Sequence, residues 1–214
     1  MPIFGVRGLN SGFDDADNLA WKLAFVARGL SDAALLDSYS TERIAAFHVN
    51  AENAMRSTEF MSPPSRGFDL LREAALSLSG VHRGIAQLIN PRQTQAVRYD
   101  HSPLSSADGD ALPAGALPGE AMPEQQLAQG HLTDRIGARF TLLVLQPAHG
   151  AAIELPADDI ARAQEGPLPF ALCTIAADGP ADAHADARVF EALGAREGAV
   201  YPVSYTHLTL PTKA

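Results

Sequence analysis

The chain has 214 residues, of which 46% are hydrophobic, so it can bury the core of one ordinary domain or of two small ones. Its formal charge is −9, which excludes the positive field that nucleic acid or an anionic membrane surface would attract. A single cysteine, Cys173, cannot close an intrachain disulfide, and neither a membrane-spanning run nor a secretory signal stands out. We therefore expect a cytoplasmic protein without nucleic-acid or membrane partners.

Residues 5–12 form a glycine-rich segment that leads into the clearest helical pattern of the chain. Apolar side chains recur at spacings of three and four in residues 13–28, which predicts a helix with one buried face. Ser11 is the predicted N-cap and Gly29 the predicted stop. Three carboxylates suit the positive end of the helix dipole, namely Asp14, Asp15 and Asp17. The segment is thus predicted to be a loop that, with the helix amides, can receive an electron-rich or anionic group.

Further helical patterns occupy most of the first hundred residues. One or two turns are predicted at residues 33–39 and a long helix at 41–61, which Pro63 ends. Residues 68–78 and, more weakly, 81–89 continue the helical periodicity. The apolar side chains of these last two segments can pack internally, line a substrate cavity or form a subunit contact, so a homodimer is one open alternative.

The composition changes in residues 104–119, which are rich in Pro, Gly, Ser and Ala and are predicted to be a linker. Beyond the linker, residues 140–145 and 170–175 are short apolar runs typical of buried strands. Helices are predicted at 160–164 and 187–193. This alternation predicts a small α/β domain over residues 120–203, after a mainly helical domain over residues 1–103.

Residues 204–214 differ from the body of the chain. The string S-Y-T-H-L-T-L-P-T-K resembles the peptide obtained by translating a sequencing adapter. We therefore predict that residues 204–214 are a non-native tail and that the natural sequence stops near Val203. The abrupt opening of the chain, without a strand ahead of its glycine-rich segment, also predicts that sequence is missing upstream.

Two strings carry a resemblance to a known family: P-x-F-G-x-R-G-L-N-S-G-x-x-D-A-x-N-L-A-W-K-L at residues 2–23 and L-L-D-S-Y-x-x-E-R at residues 35–43. Together they resemble the third conserved region of the FAD-dependent aromatic hydroxylases, which are related to p-hydroxybenzoate and phenol hydroxylases. The string Y-x-x-S-P-L at residues 99–104, followed by the α/β pattern, is similar to the members with a thioredoxin-like C-terminal domain. The resemblance implies an α/β fold class, truncated at both ends.

The resemblance implies that the glycine-rich segment lies against the pyrimidine edge of a flavin ring. The residues that would bind this edge are Pro2, Gly5, Gly8, Leu9 and Asn10. It further implies FAD as cofactor, NADH or NADPH as reductant, and O₂ as the oxidant that hydroxylates a phenolic or polycyclic aromatic small molecule. Helix-terminal amides would stabilise the negative charge of reduced flavin, which agrees with this placement.

The chain also departs from the family, because the segments that would bind the ADP and ribityl portions are absent. We therefore expect a C-terminal part that is inactive alone and does not bind FAD stably. Catalytic residues are unknown and no metal site is expected; Cys173 is predicted to be a buried hydrophobe. Glu42 and Arg43 are expected to form structural ion pairs, and Tyr39 is expected to be structural as well. The alternative is a non-enzymatic helical and thioredoxin-like interaction module that has lost its cofactor.

Overall fold

The computed structural model describes residues 7–89, 96–105, 116–137, 139–149, 152–204 and 207–208. The chain divides into two compact units, Met1–Val97 and Arg98–Ala214. The first unit is helical and the second combines helices with a sheet, which confirms the predicted mixed α/β class. Among the described residues, no helix has both the length and the apolarity that crossing a membrane requires.

Four helices make up the described part of the first unit: α1 (Arg7–Ala27), α2 (Leu35–Met61), α3 (Arg66–Ser79) and α4 (Arg83–Ile89). The prediction of two separate helical segments at 33–39 and 41–61 is wrong, since α2 is continuous. The hydroxyls of Ser38 and Thr41 donate hydrogen bonds to the carbonyls of Leu35 and Asp37 in the preceding turn. The polar stretch therefore stays helical instead of breaking the helix.

The start of α1 differs from the prediction. The helix begins at Arg7, so Ser11 lies inside it and is not the N-cap. The aspartates at 14, 15 and 17 then fall near the third turn, where the dipole no longer favours them, and Asp15 instead pairs with Arg43 of α2. The predicted end is confirmed: Gly29 has φ 67°, and the Leu30 amide donates to the Phe25 carbonyl at 2.9 Å.

The predicted buried face of α1 is also wrong. An apolar stripe with spacings of four and three residues faces solvent; it comprises Leu9, Phe13, Ala16, Ala20 and Leu23. Phe13 is 67% exposed, whereas the Lys22 side chain on the other side of the helix is fully buried. The physical reason is that α2 packs against the polar side of α1, because its own facing residues are charged.

The described residues of the second unit form three short helices and five strands: α5 (Thr133–Ile136), β1 (Phe140–Gln146), α6 (Ala157–Glu165), β2 (Phe170–Ala176), β3 (Ala183–His184), α7 (Ala187–Ala192), β4 (Ala199–Ser204) and β5 (His207–Leu208). They form one sheet with the order β3-β2-β1-β4-β5. β1 runs parallel to β2 and antiparallel to β4. The predicted strands at 140–145 and 170–175 and the helices at 160–164 and 187–193 are confirmed to within a few residues.

One face of this sheet carries the hydrophobic core of the second unit. Leu143, Leu145 and Ile175 are fully buried there, beneath Phe190 of α7 and Leu132. Alternation along β1 sends the intervening side chains to the other face. The sequence analysis missed β4, whose Pro202 is a residue that weakens a strand prediction. The structure accommodates Pro202 opposite Leu142 of β1, beyond the short pairing of β4 with β5.

Candidate functional site

The predicted flavin-edge residues fall into two groups. Pro2 and Gly5 lie outside the described residues. Gly8, Leu9 and Asn10 form the first turn of α1, and all three are exposed. The first amides of an α-helix have no acceptor within the helix, so the amides of Arg7, Gly8 and Leu9 are the group that this turn can present. Because α1 includes residues 7–10, the predicted binding residues Gly8, Leu9 and Asn10 lie at the N-terminal end of its described part.

The space above this first turn is open. Apart from its own stretch of helix, a Cβ atom placed on Gly8 would meet no atom within 4 Å, and the same holds for Gly12. Leu9 is 65% exposed. A flat ring could therefore approach the backbone here, and amide donors match the carbonyl oxygens and the anionic nitrogen of a reduced pyrimidine edge. The described residues fit the isoalloxazine edge of FAD.

An arginine of α2 fastens the next turns of α1. The Arg43 Nε atom lies 2.5 Å from Oδ1 of Asp15, and its Nη2 atom donates to the Ser11 carbonyl at 3.4 Å. The Asn50 amide adds a hydrogen bond of 3.4 Å to the Ser11 hydroxyl. Arg43 is only 8% exposed, so its charge is held by these contacts rather than by water.

A second polar cluster joins the two helices further along. The Lys22 ammonium and the Asn18 amide both donate to Oε2 of Glu42 at 2.6 Å. Lys22 is fully buried and Glu42 is 5% exposed. Burial lowers the pKa of Lys22, and its hydrogen bond and attraction to Glu42 oppose this shift. The carbonyl oxygen of Asn18 is buried without a hydrogen-bond partner.

These two clusters confirm that Glu42 and Arg43 form ion pairs, and they supply the partners that the sequence analysis missed. The missed residues are Asp15, Asn18 and Lys22. Their spacing of three and four residues places them on one side of α1. This polar stripe has the same helical period as the apolar one, so the signal was present in the sequence and was assigned to the solvent side.

Trp21 packs within α1. Its ring meets Phe25 edge to face, with 5.6 Å between the ring centroids. The Lys22 ammonium lies 5.5 Å from the centre of the indole. Both contacts are within α1, so Trp21 contributes to the packing around the buried lysine.

His101 lies on the surface of the second unit and Cys173 lies in its core. His101 is 87% exposed, and its Nε2 atom is 3.7 Å from Oδ1 of Asp100. Cys173 is buried, and burial raises the pKa of its thiol, which agrees with the predicted role as a small hydrophobe. In the described ranges, no three histidine, cysteine, aspartate or glutamate side chains come together as metal ligands.

An apolar groove of about 490 Å³ lies in the second unit, on the face of the sheet opposite the core. Phe140 and Leu142 of β1 and Phe170 of β2 form its floor. Arg162 and Leu168 lie along α6 and the turn that follows it. The groove exists because α6, which is the helix on this face, covers only part of the sheet.

A model of the FAD binding domain family matches residues 1–54, which include α1 and most of α2. Over these residues the chain is similar to FAD-binding domains. This confirms the resemblance and the FAD prediction, although the match does not test the individual contact residues.

Two curated proteins that are similar to this chain carry the name 3-(3-hydroxy-phenyl)propionate/3-hydroxycinnamic acid hydroxylase. The protein from Mycolicibacterium vanbaalenii is 38% identical over 125 residues, which are 55% of this chain and 21% of that protein. The protein from Klebsiella pneumoniae is 30% identical over 158 residues, which are 67% of this chain and 26% of that protein. The chain therefore spans about a quarter of the length of the curated relatives it matches.

A solved structure of native and K252c-bound RebC-10x has a similar fold. It superposes on 98% of this chain and 40% of its own chain, with a TM-score of 0.67 and 22% sequence identity. At this level of identity the similarity shows the fold alone.

Proposed function

We propose that this chain is the C-terminal part of a flavin-dependent monooxygenase that uses NADH or NADPH and O₂ to hydroxylate a phenolic or polycyclic aromatic small molecule. The observation that carries the proposal is the first turn of α1. Gly8, Leu9 and Asn10 are exposed at a helix N-terminus inside the segment that matches an FAD-binding family. The names of the curated relatives favour a phenolic acid as substrate.

In this proposal the protein positions the cofactor and stabilises its charge. The bound flavin would supply the redox chemistry, taking electrons from the nicotinamide and passing oxygen to the ring of the substrate. The amides of Gly8, Leu9 and Asn10 would face the pyrimidine edge, where negative charge collects on reduction. Their dipoles are fixed by the helix, so they would stabilise this charge without reorganising.

The apolar stripe of α1 supports the idea that further chain belongs to the functional protein. Helices normally turn such a stripe towards a core, yet Phe13 and Leu9 are each about two-thirds exposed. Phe68 and Leu71 of α3 are further exposed apolar side chains of the first unit. The remaining segments of the enzyme, the substrate cavity or a second subunit would cover these side chains. We expect this chain alone to be inactive and to lose FAD during purification.

The second unit is proposed to be a thioredoxin-like domain without redox function. Support comes from its central parallel pair β1–β2 with antiparallel β4 beside β1, and from helices on both faces. Cys173 is buried in β2 and has no second cysteine in the chain to pair with. The negative net charge and the single cysteine support a cytoplasmic location for the complete enzyme.

The test is to express the complete gene product with its upstream sequence, next to the present chain. We expect the complete protein to be yellow after gel filtration and to oxidise NADH or NADPH faster when 3-(3-hydroxyphenyl)propionate is added. The present chain should elute without flavin absorbance. A colourless complete protein with no nicotinamide oxidation would contradict the proposal and favour the non-enzymatic module.

A further inference from the structure

The described polar contacts between α1 and α2 form two groups, and only one group lies near the proposed flavin edge. The first group consists of Asn18 and Lys22, in the second half of α1, and Glu42 of α2. Arg43 contacts α1 closer to its start, at Ser11 and Asp15. Ser11 follows directly after Asn10, the last residue of the exposed first turn.

The geometry of these contacts fixes the orientation of α1 as well as its position against α2. A guanidinium is planar, and Arg43 uses two different nitrogen atoms for two acceptors that lie one helical turn apart. Asn50 lies two turns further along α2 and binds the Ser11 hydroxyl. Two hydrogen bonds from α2 therefore hold Ser11, in the turn that continues the first turn of α1, and a third holds Asp15 one turn further along. Because a helix is stiff over two turns, moving Ser11 also moves the amides of Gly8, Leu9 and Asn10.

The burial of Arg43 is consistent with a role in holding α1 in place. With 8% of its surface exposed and Asp15 45% exposed, the pair lies at the edge of the interface, with the arginine inside. A second carboxylate, Asp14, has Oδ2 at 3.9 Å from the guanidinium. The guanidinium is thus held from the α1 side by charge and by a backbone carbonyl.

We propose that Arg43, assisted by Asn50, is a positioning residue that sets how the first turn of α1 meets the flavin. This inference rests on the proposed function and deepens it. The described hydrogen bonds of both residues end on Ser11 and Asp15, so both would act on the first turn through the helix backbone. A purely structural role would predict that variants lower stability in proportion to the hydrogen bonds they remove. A positioning role predicts that the midpoint potential of the flavin changes even when the stability and the charge of the protein are preserved.

The discriminating variant is Arg43→Lys in the complete, FAD-loaded protein, because lysine keeps the positive charge near Asp15 but cannot serve both acceptors. We expect the preference for reduced over oxidised flavin to fall by about tenfold, the size of one lost hydrogen bond to a charged group. For a two-electron couple this is a fall of about 30 mV in midpoint potential. Asn50→Ala, which changes no charge, should shift the potential in the same direction by less.

Arg56→Lys is the matched control, because Arg56 is an exposed arginine of the same helix. It should leave the potential unchanged. A wild-type potential in both Arg43→Lys and Asn50→Ala, with FAD still bound, would overturn this inference and leave the proposed function intact. If Arg43→Lys does not fold, Asn50→Ala decides alone. Failure of the unmodified complete protein to bind FAD would instead overturn the proposed function.

Discussion

A buried lysine paired with a buried glutamate is the most consequential side-chain arrangement in the first unit. Lys22 is fully buried, and its ammonium is 2.6 Å from a Glu42 oxygen that Asn18 also contacts. Removing one partner from such a pair leaves the other charge desolvated and uncompensated. The stability of the α1–α2 pair therefore depends on both residues being present or both being neutral.

We expect Lys22→Met to lower the free energy of unfolding by about 3 kcal/mol. The double variant Lys22→Met, Glu42→Gln should lose less than Lys22→Met alone, since the Gln carbonyl still accepts the Asn18 hydrogen bond. Urea unfolding followed by the fluorescence of Trp21, the only tryptophan, reports on this unit. The control is Arg72→Met, which breaks a partly exposed pair with Asp69 and should cost below about 1 kcal/mol. Additive losses in the double variant would contradict this interpretation.

Tyr201 makes the stability of the second unit depend on pH in the alkaline range. The side chain is 1% exposed, its hydroxyl donates to the Leu193 carbonyl at 2.5 Å, and burial raises its pKa from 10 to about 12. The folded state therefore keeps a proton that the unfolded state releases, so the contribution to stability is complete below pH 10 and is lost as the pH rises towards 12.

The variant Tyr201→Phe should remove this pH dependence, although it also loses one hydrogen bond. Between pH 9 and pH 11 the wild-type chain should lose about 1.4 kcal/mol more stability than the variant. Urea unfolding at a series of pH values, followed by far-ultraviolet circular dichroism, measures the difference. Parallel stability curves for the two proteins would show that the phenol ionises equally well in both states.

At the scale of elements, the helical period was readable from the sequence but the buried side of α1 was not. Periodicity located α1, α3, β1 and β2, and Pro63 predicted the end of α2. It could not tell which of two stripes on α1 faces α2, because that depends on charged partners more than ten residues away. Glu42 and Arg43 decide the question by drawing the polar stripe inward. The same long-range pairing explains why Ser11 could not be recognised as an interior helix residue.

The exposed apolar stripe of α1 predicts a contrast between two phenylalanines of one helix. In the present chain, Phe13→Ala should change the unfolding free energy by less than about 0.5 kcal/mol, because Phe13 is 67% exposed. Phe25→Ala should cost about 3 kcal/mol or more, because Phe25 is 6% exposed. Urea unfolding measures both. In the complete protein, Phe13→Ala should become clearly destabilising, and an equally small effect there would mean that the stripe stays in water.

At the scale of the whole molecule, the two units differ in how they bury apolar surface. The second unit has a continuous core that includes Leu143, Leu145 and Tyr201. The buried side chains of α2 in the first unit are small or polar, whereas Phe47 and Met55 of the same helix are exposed. Composition predicted enough apolar residues for a core but not their distribution. A first unit built this way is consistent with a chain that spans about a quarter of its curated relatives.

The flavin-edge residues were predicted from the resemblance alone. Glycine spacing by itself suggested a loop, and the structure replaces that loop with the first turn of α1 for Gly8, Leu9 and Asn10. Under the proposed function, further chain would place the ring against this turn, so no local pattern could have supplied the contact.

A crystal structure of the complete gene product with bound FAD would decide where the flavin lies. The proposal predicts the pyrimidine edge of the isoalloxazine within hydrogen-bonding distance of the Leu9 and Asn10 amides, with Arg43 still joined to Ser11 and Asp15. An isoalloxazine bound by other elements, far from the first turn of α1, would contradict it.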